Sequence, residues 1–218
     1  MLVSEADAQA WVRALPEWNA AAERRLDQLI AALRAENQAQ NLVAAASLEQ
    51  IWVRHIADSA QLLQHVPRET SGPWLDLGTG AGFPGLVVAA LRPDIAVHLV
   101  ESRARRISWL ERAVCLLDLP NVTIHGARLE QVASFAARTI SARAFAPLPR
   151  LLALSARFST ADTVWLLPKG RSAAHELHEL AGWTHMFHVE QSCTDPDAGV
   201  IVGRLIGPAS AAKKGAKP

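Results

Sequence analysis

Four glycines stand close together in the stretch LDLGTGAGFPGL, Leu75–Leu86 of the sequence. They are Gly78, Gly80, Gly82 and Gly85. Glycine has no side chain, so such a run lets the chain turn tightly and lets a ligand approach the backbone closely. We therefore expect these four residues to form a loop that holds an adenosine-containing cofactor.

Two phosphate-binding motifs compete for this loop. A P-loop requires Lys and then Ser or Thr after its last glycine, but Leu86 and Val87 stand there, so that motif is excluded. The dinucleotide fingerprint G-x-G-x-x-G is present over residues 80–85, and Glu101 follows about 20 residues later, where an acid would bond ribose hydroxyls. A dinucleotide-dependent oxidoreductase therefore remains an alternative.

The acid before the glycines favours a third cofactor, S-adenosylmethionine. Asp76 lies two residues before Gly78, at the end of a predicted strand. Its carboxylate would attract the sulfonium and ammonium groups of S-adenosylmethionine and would repel a pyrophosphate. Glu101 can accept hydrogen bonds from the ribose hydroxyls of either cofactor. We therefore predict an S-adenosylmethionine site.

Basic residues follow the later predicted strands. Arg143 lies in SARAFAPL and Lys169 in LPKG, each at the carboxyl end of a strand. Ligands of open α/β sheets bind at that edge, so the pair favours an anionic or electron-rich substrate and supplies our candidate catalytic residues. Arg103, Arg105 and Arg106 of SRARR suit an RNA backbone, although a solvated helix face would also explain them.

The pattern of apolar residues predicts the elements that position these groups. Residues 17–36 and 48–66 read as helices, the second with Ser47 as N-cap, and the polar segment 67–73 separates them from the remainder. Strand-like and helical segments then alternate, which predicts a parallel sheet covered by helices. The predicted strands are 74–77, 97–101, 122–125, 139–143 and 163–167. The predicted helices are 85–91, 103–117, 129–137, 148–158 and 171–180.

Two final strand-like segments, 183–190 and 199–206, have no room for a helix between them and should form a hairpin through TDPDAG. The expected fold class is therefore α/β: a seven-stranded, mostly parallel sheet whose last pair is antiparallel, as in class I methyltransferases. We predict a helical cap over residues 1–70, a methyltransferase core over 71–207 and a disordered tail over 208–218.

Composition limits the class of protein. The 218 residues include 22 Lys or Arg, 21 Asp or Glu and only two cysteines. Residues 71–160 hold ten Arg against six acids, a net charge of +4, so this part could meet a polyanion. The sequence offers no membrane-length apolar run and no signal-peptide pattern at its start. We expect a reduced, soluble cytoplasmic protein.

Several motifs together resemble one family. LDLGTGAGFPGL, ARAFAPL and LPKG, with NLV at 41–43 and RHIADS at 54–59, look like the RsmG family, also called glucose-inhibited division protein B. The resemblance runs from Trp18 to Ile206, in the same motif order. The family usually has Asn-Leu-Thr where this chain has Val43, so a hydroxyl contact there is lost. Members are bacterial 16S ribosomal RNA guanine-N7 methyltransferases.

The resemblance implies a cofactor and a set of contacts. S-adenosylmethionine would touch Gly78, Phe83, Leu129, Glu130 and Arg143. It implies 16S ribosomal RNA, free or in a small-subunit particle, as partner, and we expect a monomer. A small-molecule methyltransferase and a non-catalytic RNA-binding module remain alternatives.

A polar helix face completes the expected site. Arg54, His55, Asp58 and Ser59 follow one another at helical spacing, so they share one face that should close over the glycine loop and contact substrate. His55 and Asp58 lack a third metal ligand, so we expect no metal. Guanine N7 has an in-plane lone pair, so methyl transfer by direct displacement needs no general base.

Overall fold

Short apolar segments form the strands in the computed structural model, which describes residues 1–209. The strands are β1 (Trp74–Leu77), β2 (Val97–Val100), β3 (Val122–His125), β4 (Thr139–Ala142), β5 (Val164–Lys169), β6 (Trp183–His185), β7 (His188–Gln191), β8 (Gly199–Gly203) and β9 (Leu205–Pro208). The helices are α1 (Glu5–Arg13), α2 (Ala20–Glu36), α3 (Ala45–Leu48), α4 (Asp58–Ala60), α5 (Gly85–Leu91), α6 (Ala104–Leu116), α7 (Leu148–Ser155) and α8 (Ala173–His178).

Seven strands form one sheet in the order β3-β2-β1-β4-β5-β8-β7. The first five are parallel, and β8 runs antiparallel to both β5 and β7. β1 and β4 are buried along their whole length, as expected for central strands covered on both faces. The predicted α/β class and the antiparallel last pair are confirmed.

The amino-terminal helices pack on one side of this sheet. Helix α2 lies against α5 and α6, and α4 lies against α5. A π-helix, Trp52–Ala57, precedes α4 and a 3₁₀-helix, Gln61–His65, follows it, so the predicted single helix has three geometries. The segment predicted as a cap thus contains helices that pack against α5 and α6, and its division from the core stays a prediction. Of the predicted tail, Pro208 ends β9 and the Ala209 amide donates to the Gly182 carbonyl oxygen at 2.9 Å, and residues 210–218 lie outside the described residues.

Three predictions about elements were wrong. Only the 3₁₀-turn Leu129–Gln131 forms where a helix was expected over 129–137. The Arg157 guanidinium donates to the carbonyl oxygens of Leu129 and Val132, which a continuing helix would need for itself. The expected strands over 183–190 and 199–206 also divide, the first into β6 and β7 and the second into β8 and β9. In both cases the two parts join different sheets.

Ser47 is not an N-cap. Helix α3 begins at Ala45, before it, and the Ser47 hydroxyl donates to the Ala44 carbonyl oxygen at 2.7 Å. Helix α1 was not predicted at all. Its Ser4 N-cap accepts a hydrogen bond from the Asp7 amide, the arrangement that stabilises a helix start.

Candidate functional site

Two cavities open at the carboxyl edge of the parallel strands. The glycine-loop cavity, about 530 Å³, is lined by Gly78, Glu101, Arg106, Leu129, Glu130 and their neighbours. The Arg143–Lys169 cavity, about 920 Å³, is lined by those two residues and by Arg54, His55, Asp58, Glu176 and Asp195 among others. Residues 144–147, between β4 and α7, line both cavities. The two cavities therefore adjoin at this segment.

Asp76 holds the glycine loop from within the protein. Its side chain is fully buried; one carboxylate oxygen accepts from the Ser141 hydroxyl at 2.7 Å and the other from the Gly85 amide at 3.1 Å. Burial raises the pKa of the Asp76 carboxyl group. The structure therefore corrects the expectation of a direct Asp76–ammonium contact, because the carboxylate does not reach either cavity.

The four glycines have different roles. A Cβ added at Gly82 would lie 2.3 Å from Leu86, and one at Gly85 would lie 2.2 Å from Leu99. These two glycines allow close packing inside the protein, so Gly82 is not a wall of the cofactor site. Gly80 has a φ of +61°, which favours glycine, and a Cβ added there would lie 3.4 Å from the Arg106 guanidinium.

Glu101 has one free carboxylate oxygen at the glycine-loop cavity. Its Oε1 accepts from the amides of Ser102 and Arg103 at 2.7 and 2.9 Å. Its Oε2 lies 3.7 Å from the Arg106 guanidinium, beyond hydrogen-bond distance. That oxygen can accept hydrogen bonds from ribose hydroxyls.

The structure places the three arginines of SRARR in different surroundings. The Arg106 side chain turns into the glycine-loop cavity towards Glu101. The Arg105 guanidinium reaches the Ala39 carbonyl oxygen of the cap at 3.4 Å. Helix α6 packs against α2, so this part of α6 faces the cap and the cofactor side. Of the SRARR arginines, only Arg103 remains exposed at the cavity without a side-chain partner among residues 1–209.

Arg143 is fixed by the cap. Its Nη1 donates to the Arg54 carbonyl oxygen and to Asp58, and its Nη2 donates to His55 Nδ1, each at 3.2 Å. The guanidinium also lies 5.2 Å from the Phe83 ring centroid. Phe83 is buried beneath Arg143 and supports its guanidinium, and its expected cofactor contact stays a prediction.

His55 is held neutral. Burial, followed by the positive charges of Arg143 and Arg54, lowers the pKa of His55 to about 3. Because Nδ1 accepts from Arg143, the proton lies on Nε2, which donates to the Ser47 hydroxyl at 2.9 Å. Ser59 is 1% exposed and donates to the His55 carbonyl oxygen. Ser59 therefore supports the helix and does not reach substrate, contrary to expectation.

Lys169 also lines the Arg143–Lys169 cavity. Its Nζ donates to Glu176 at 2.7 Å and to the Ala146 carbonyl oxygen at 3.3 Å. Burial acts to raise the pKa of Glu176, but the hydrogen bonds from Lys169 and Ser172 outweigh it and the pKa is lowered. Glu176 is thus an anion that fixes the Lys169 ammonium.

Sequence reasoning missed Glu176 and the wall formed by the β7–β8 hairpin. Thr194 donates to Asp58 at 3.0 Å, and Asp195 pairs with Arg54 at 3.1 Å. The signal was available in TDPDAG, a polar turn with two acids, but its approach to the cap depends on long-range packing.

Within residues 1–209 the structure contains no cluster of three metal-ligating side chains. None of the helices described is both long and apolar enough to cross a membrane.

Comparison with known proteins gives a consistent result. Residues 22–195 match the family model of rRNA small subunit methyltransferase G. A ribosomal RNA small subunit methyltransferase G of Novosphingobium aromaticivorans is 60% identical over 94% of this chain and 90% of its own length. One from Erythrobacter litoralis is 56% identical over 94% and 98%. Aeropyrum pernix fibrillarin with bound S-adenosyl-L-methionine has a similar fold, with a TM-score of 0.52 at 17% identity over 69% of this chain and 75% of its own.

Proposed function

The chain belongs to the rRNA small subunit methyltransferase G family, and we propose that its two cavities bring S-adenosylmethionine and a guanine together. It is an S-adenosylmethionine-dependent methyltransferase of small-subunit (16S) ribosomal RNA, and guanine N7 is the acceptor atom that we assign. The observation that carries the assignment of cavities is their shared wall, residues 144–147.

The residues of the glycine-loop cavity fit this cofactor. Glu101 keeps one carboxylate oxygen free of hydrogen bonds for the ribose, and Gly78 of the glycine loop lines the cavity. Leu129 gives an apolar wall and Glu130 an acceptor for the adenine. Asp76 acts indirectly, by holding Gly85 and the loop in place.

The Arg143–Lys169 cavity fits an electron-rich base. Arg143 has five N–H donors, of which three are used within the protein, so two remain. The Lys169 ammonium has three donors, of which two are used. These free donors suit guanine O6 or a phosphate and leave N7 unprotonated.

Bound S-adenosylmethionine supplies an electrophilic methyl group, and the chain supplies position. N7 must approach within about 3–3.5 Å of the methyl carbon, in line with the sulfur. Its lone pair is already free, so neither His55 nor a carboxylate has to remove a proton. Arg143 and Lys169 therefore act by orienting the base within its cavity.

We further propose that the enzyme acts as a cytoplasmic monomer on 16S ribosomal RNA, free or within a small-subunit particle. Sedimentation equilibrium would measure the mass directly. A comparison of naked RNA with purified subunits as methyl acceptors would distinguish the two forms of substrate.

The function is tested by incubating the protein with labelled S-adenosylmethionine and unmodified small-subunit RNA. Nucleoside mass spectrometry should find the label in 7-methylguanosine. Lys169→Gln should lower kcat/KM at least about tenfold, since a hydrogen bond from a charged group is worth roughly 1.5–3 kcal/mol. The matched control is Arg171→Gln, because Arg171 is 84% exposed and pairs with Asp197 at the surface.

Two outcomes would contradict the proposal. Label on another atom of the RNA would overturn the N7 assignment. Transfer only to small metabolites, with none to RNA, would support the small-molecule methyltransferase instead.

A further inference from the structure

The arginines of this protein divide sharply by whether they have a protein partner. Thirteen of the 18 arginines pair with an acid or donate a hydrogen bond within residues 1–209. The other five side chains make no such contact with the described part of the chain. They are Arg34, Arg103, Arg128, Arg150 and Arg204.

Three of these five arginines surround one opening. Arg103, Arg128 and Arg150 all line the glycine-loop cavity and are exposed. They arrive from three separate places: Arg103 precedes α6, Arg128 follows β3 and Arg150 lies in the first turn of α7. The fold thus gathers them at the carboxyl edge of the sheet although 25 and 22 residues separate them in sequence.

The charge at this rim is not neutralised locally. The acids that line the glycine-loop cavity are Glu101, which is buried beside Arg106, and Glu130. Two acids face four arginines there. Like charges gathered at one opening repel each other and create a positive potential that attracts an anionic partner. The cofactor supplies only one anionic group, the methionine carboxylate, beside its sulfonium and ammonium groups, so it cannot neutralise the four arginines.

We propose that Arg103, Arg128 and Arg150 bind the phosphates of the single-stranded RNA that flanks the target guanine, so that the strand crosses the mouth of the glycine-loop cavity. This inference rests on the proposed function and names the path of its substrate. A guanidinium presents a planar fork of donors that matches a phosphate group. Three such groups around one opening can hold successive phosphates.

The RNA must be single-stranded where it binds. N7 of guanine faces the major groove, which in A-form RNA is too deep and narrow for side chains to reach. A guanine that enters the Arg143–Lys169 cavity is therefore unstacked. Its backbone then lies near residues 144–147, the wall that both cavities share, and the neighbouring phosphates fall beside the arginine rim.

Salt dependence of RNA binding tests this path. A fluorescein-labelled single-stranded oligoribonucleotide containing one guanine is titrated, without cofactor, over a range of salt concentrations. Each phosphate contact in single strands contributes about 0.7 to the slope of log affinity against log salt, so the triple variant Arg103→Gln, Arg128→Gln, Arg150→Gln should lose about two units. The matched control is Arg34→Gln with Arg204→Gln, which removes the two unpartnered arginines outside both cavities.

A second measurement separates RNA binding from cofactor binding. Calorimetry with S-adenosylhomocysteine should give nearly the same affinity for the triple variant and the unmodified chain. An unchanged salt slope in the triple variant, or an equal loss in the control, would overturn the proposed path. Loss of S-adenosylhomocysteine affinity with RNA affinity intact would assign the rim to the cofactor. Measuring how RNA affinity depends on salt requires no methyl transfer. It therefore tests the RNA path even if the proposed function is wrong.

Discussion

The Asp76 carboxylate joins three parts of the molecule. It stands on β1, accepts from Ser141 on β4 and accepts from the Gly85 amide at the start of α5. Ser141 in turn accepts from the Trp74 indole at 2.8 Å. The acid before the glycines is therefore a structural tie that sets where the loop lies, and it acts on the cofactor through the loop.

Replacing Asp76 tests this role. Asp76→Ala leaves the Gly85 amide and the Ser141 hydroxyl without their buried acceptor, so we expect the free energy of unfolding to fall by about 3 kcal/mol. S-adenosylmethionine affinity should fall with it, since the loop loses its tie. Urea unfolding and calorimetry measure the two effects. Asp162→Ala, at an exposed acid, is the control, and undiminished stability in Asp76→Ala would contradict a structural role.

The sequence predicts that some site residues lie close together, but it does not predict the positions of others. Arg143 and Lys169 end adjacent parallel strands, so their meeting at one edge follows from the order of elements. Arg106 could not be placed in this way, because only its side-chain conformation decides whether it faces RNA or Glu101. Phe83 shows the same limit: its position in the motif was evident, but its packing beneath Arg143 was not.

At the scale of elements, α1 supports the segment that carries the site. The two carboxylate oxygens of Glu5 accept from the amides of Trp52 and Val53, at 3.0 and 2.9 Å. These amides stand at the start of the π-helix that carries Arg54 and His55. Amides at a helix start have no partner within the helix, so Glu5 satisfies them from another element.

We expect Glu5→Ala to destabilise the first turn of the π-helix Trp52–Ala57. Two buried amides lose their acceptor, at a cost of about 1–3 kcal/mol each. Because Arg143 is bonded to Arg54 and His55, kcat for methyl transfer should fall while S-adenosylhomocysteine affinity stays close to its original value. Thermal unfolding and single-turnover kinetics provide the measurements. Glu49→Ala changes an exposed acid near the same segment and serves as control; equal kinetics in both variants would refute the link.

Local pattern identified most elements but not how they end. Helix α5 and strands β1 and β3 have their expected limits. The helix predicted after Leu129 does not form, because the guanidinium of Arg157, distant in sequence, donates to carbonyl oxygens that a helix would need. Interactions between residues far apart in sequence leave no periodic signal.

At the scale of the whole molecule, α5 shows that cap and sheet share one core. All seven residues of α5 are buried, so it has no face for solvent. Leu26, Leu29 and Leu33 of α2 belong to the same apolar cluster as Val87 and other residues of α5. We propose that residues 1–70 complete the fold of residues 71–207 and are not an independent domain.

Separating the two parts tests this proposal. Residues 71–218 alone would expose α5 and lose three buried leucines, worth together about 5–9 kcal/mol, against a total stability of about 5–15 kcal/mol for an ordinary domain. We expect this fragment to show no cooperative unfolding transition. Coexpression of residues 1–70 and 71–218 as two chains is the control. The shared core should hold them together, and copurification with restored cooperative unfolding is the expected result. A cooperative transition in the fragment alone would show that the cap is dispensable for folding.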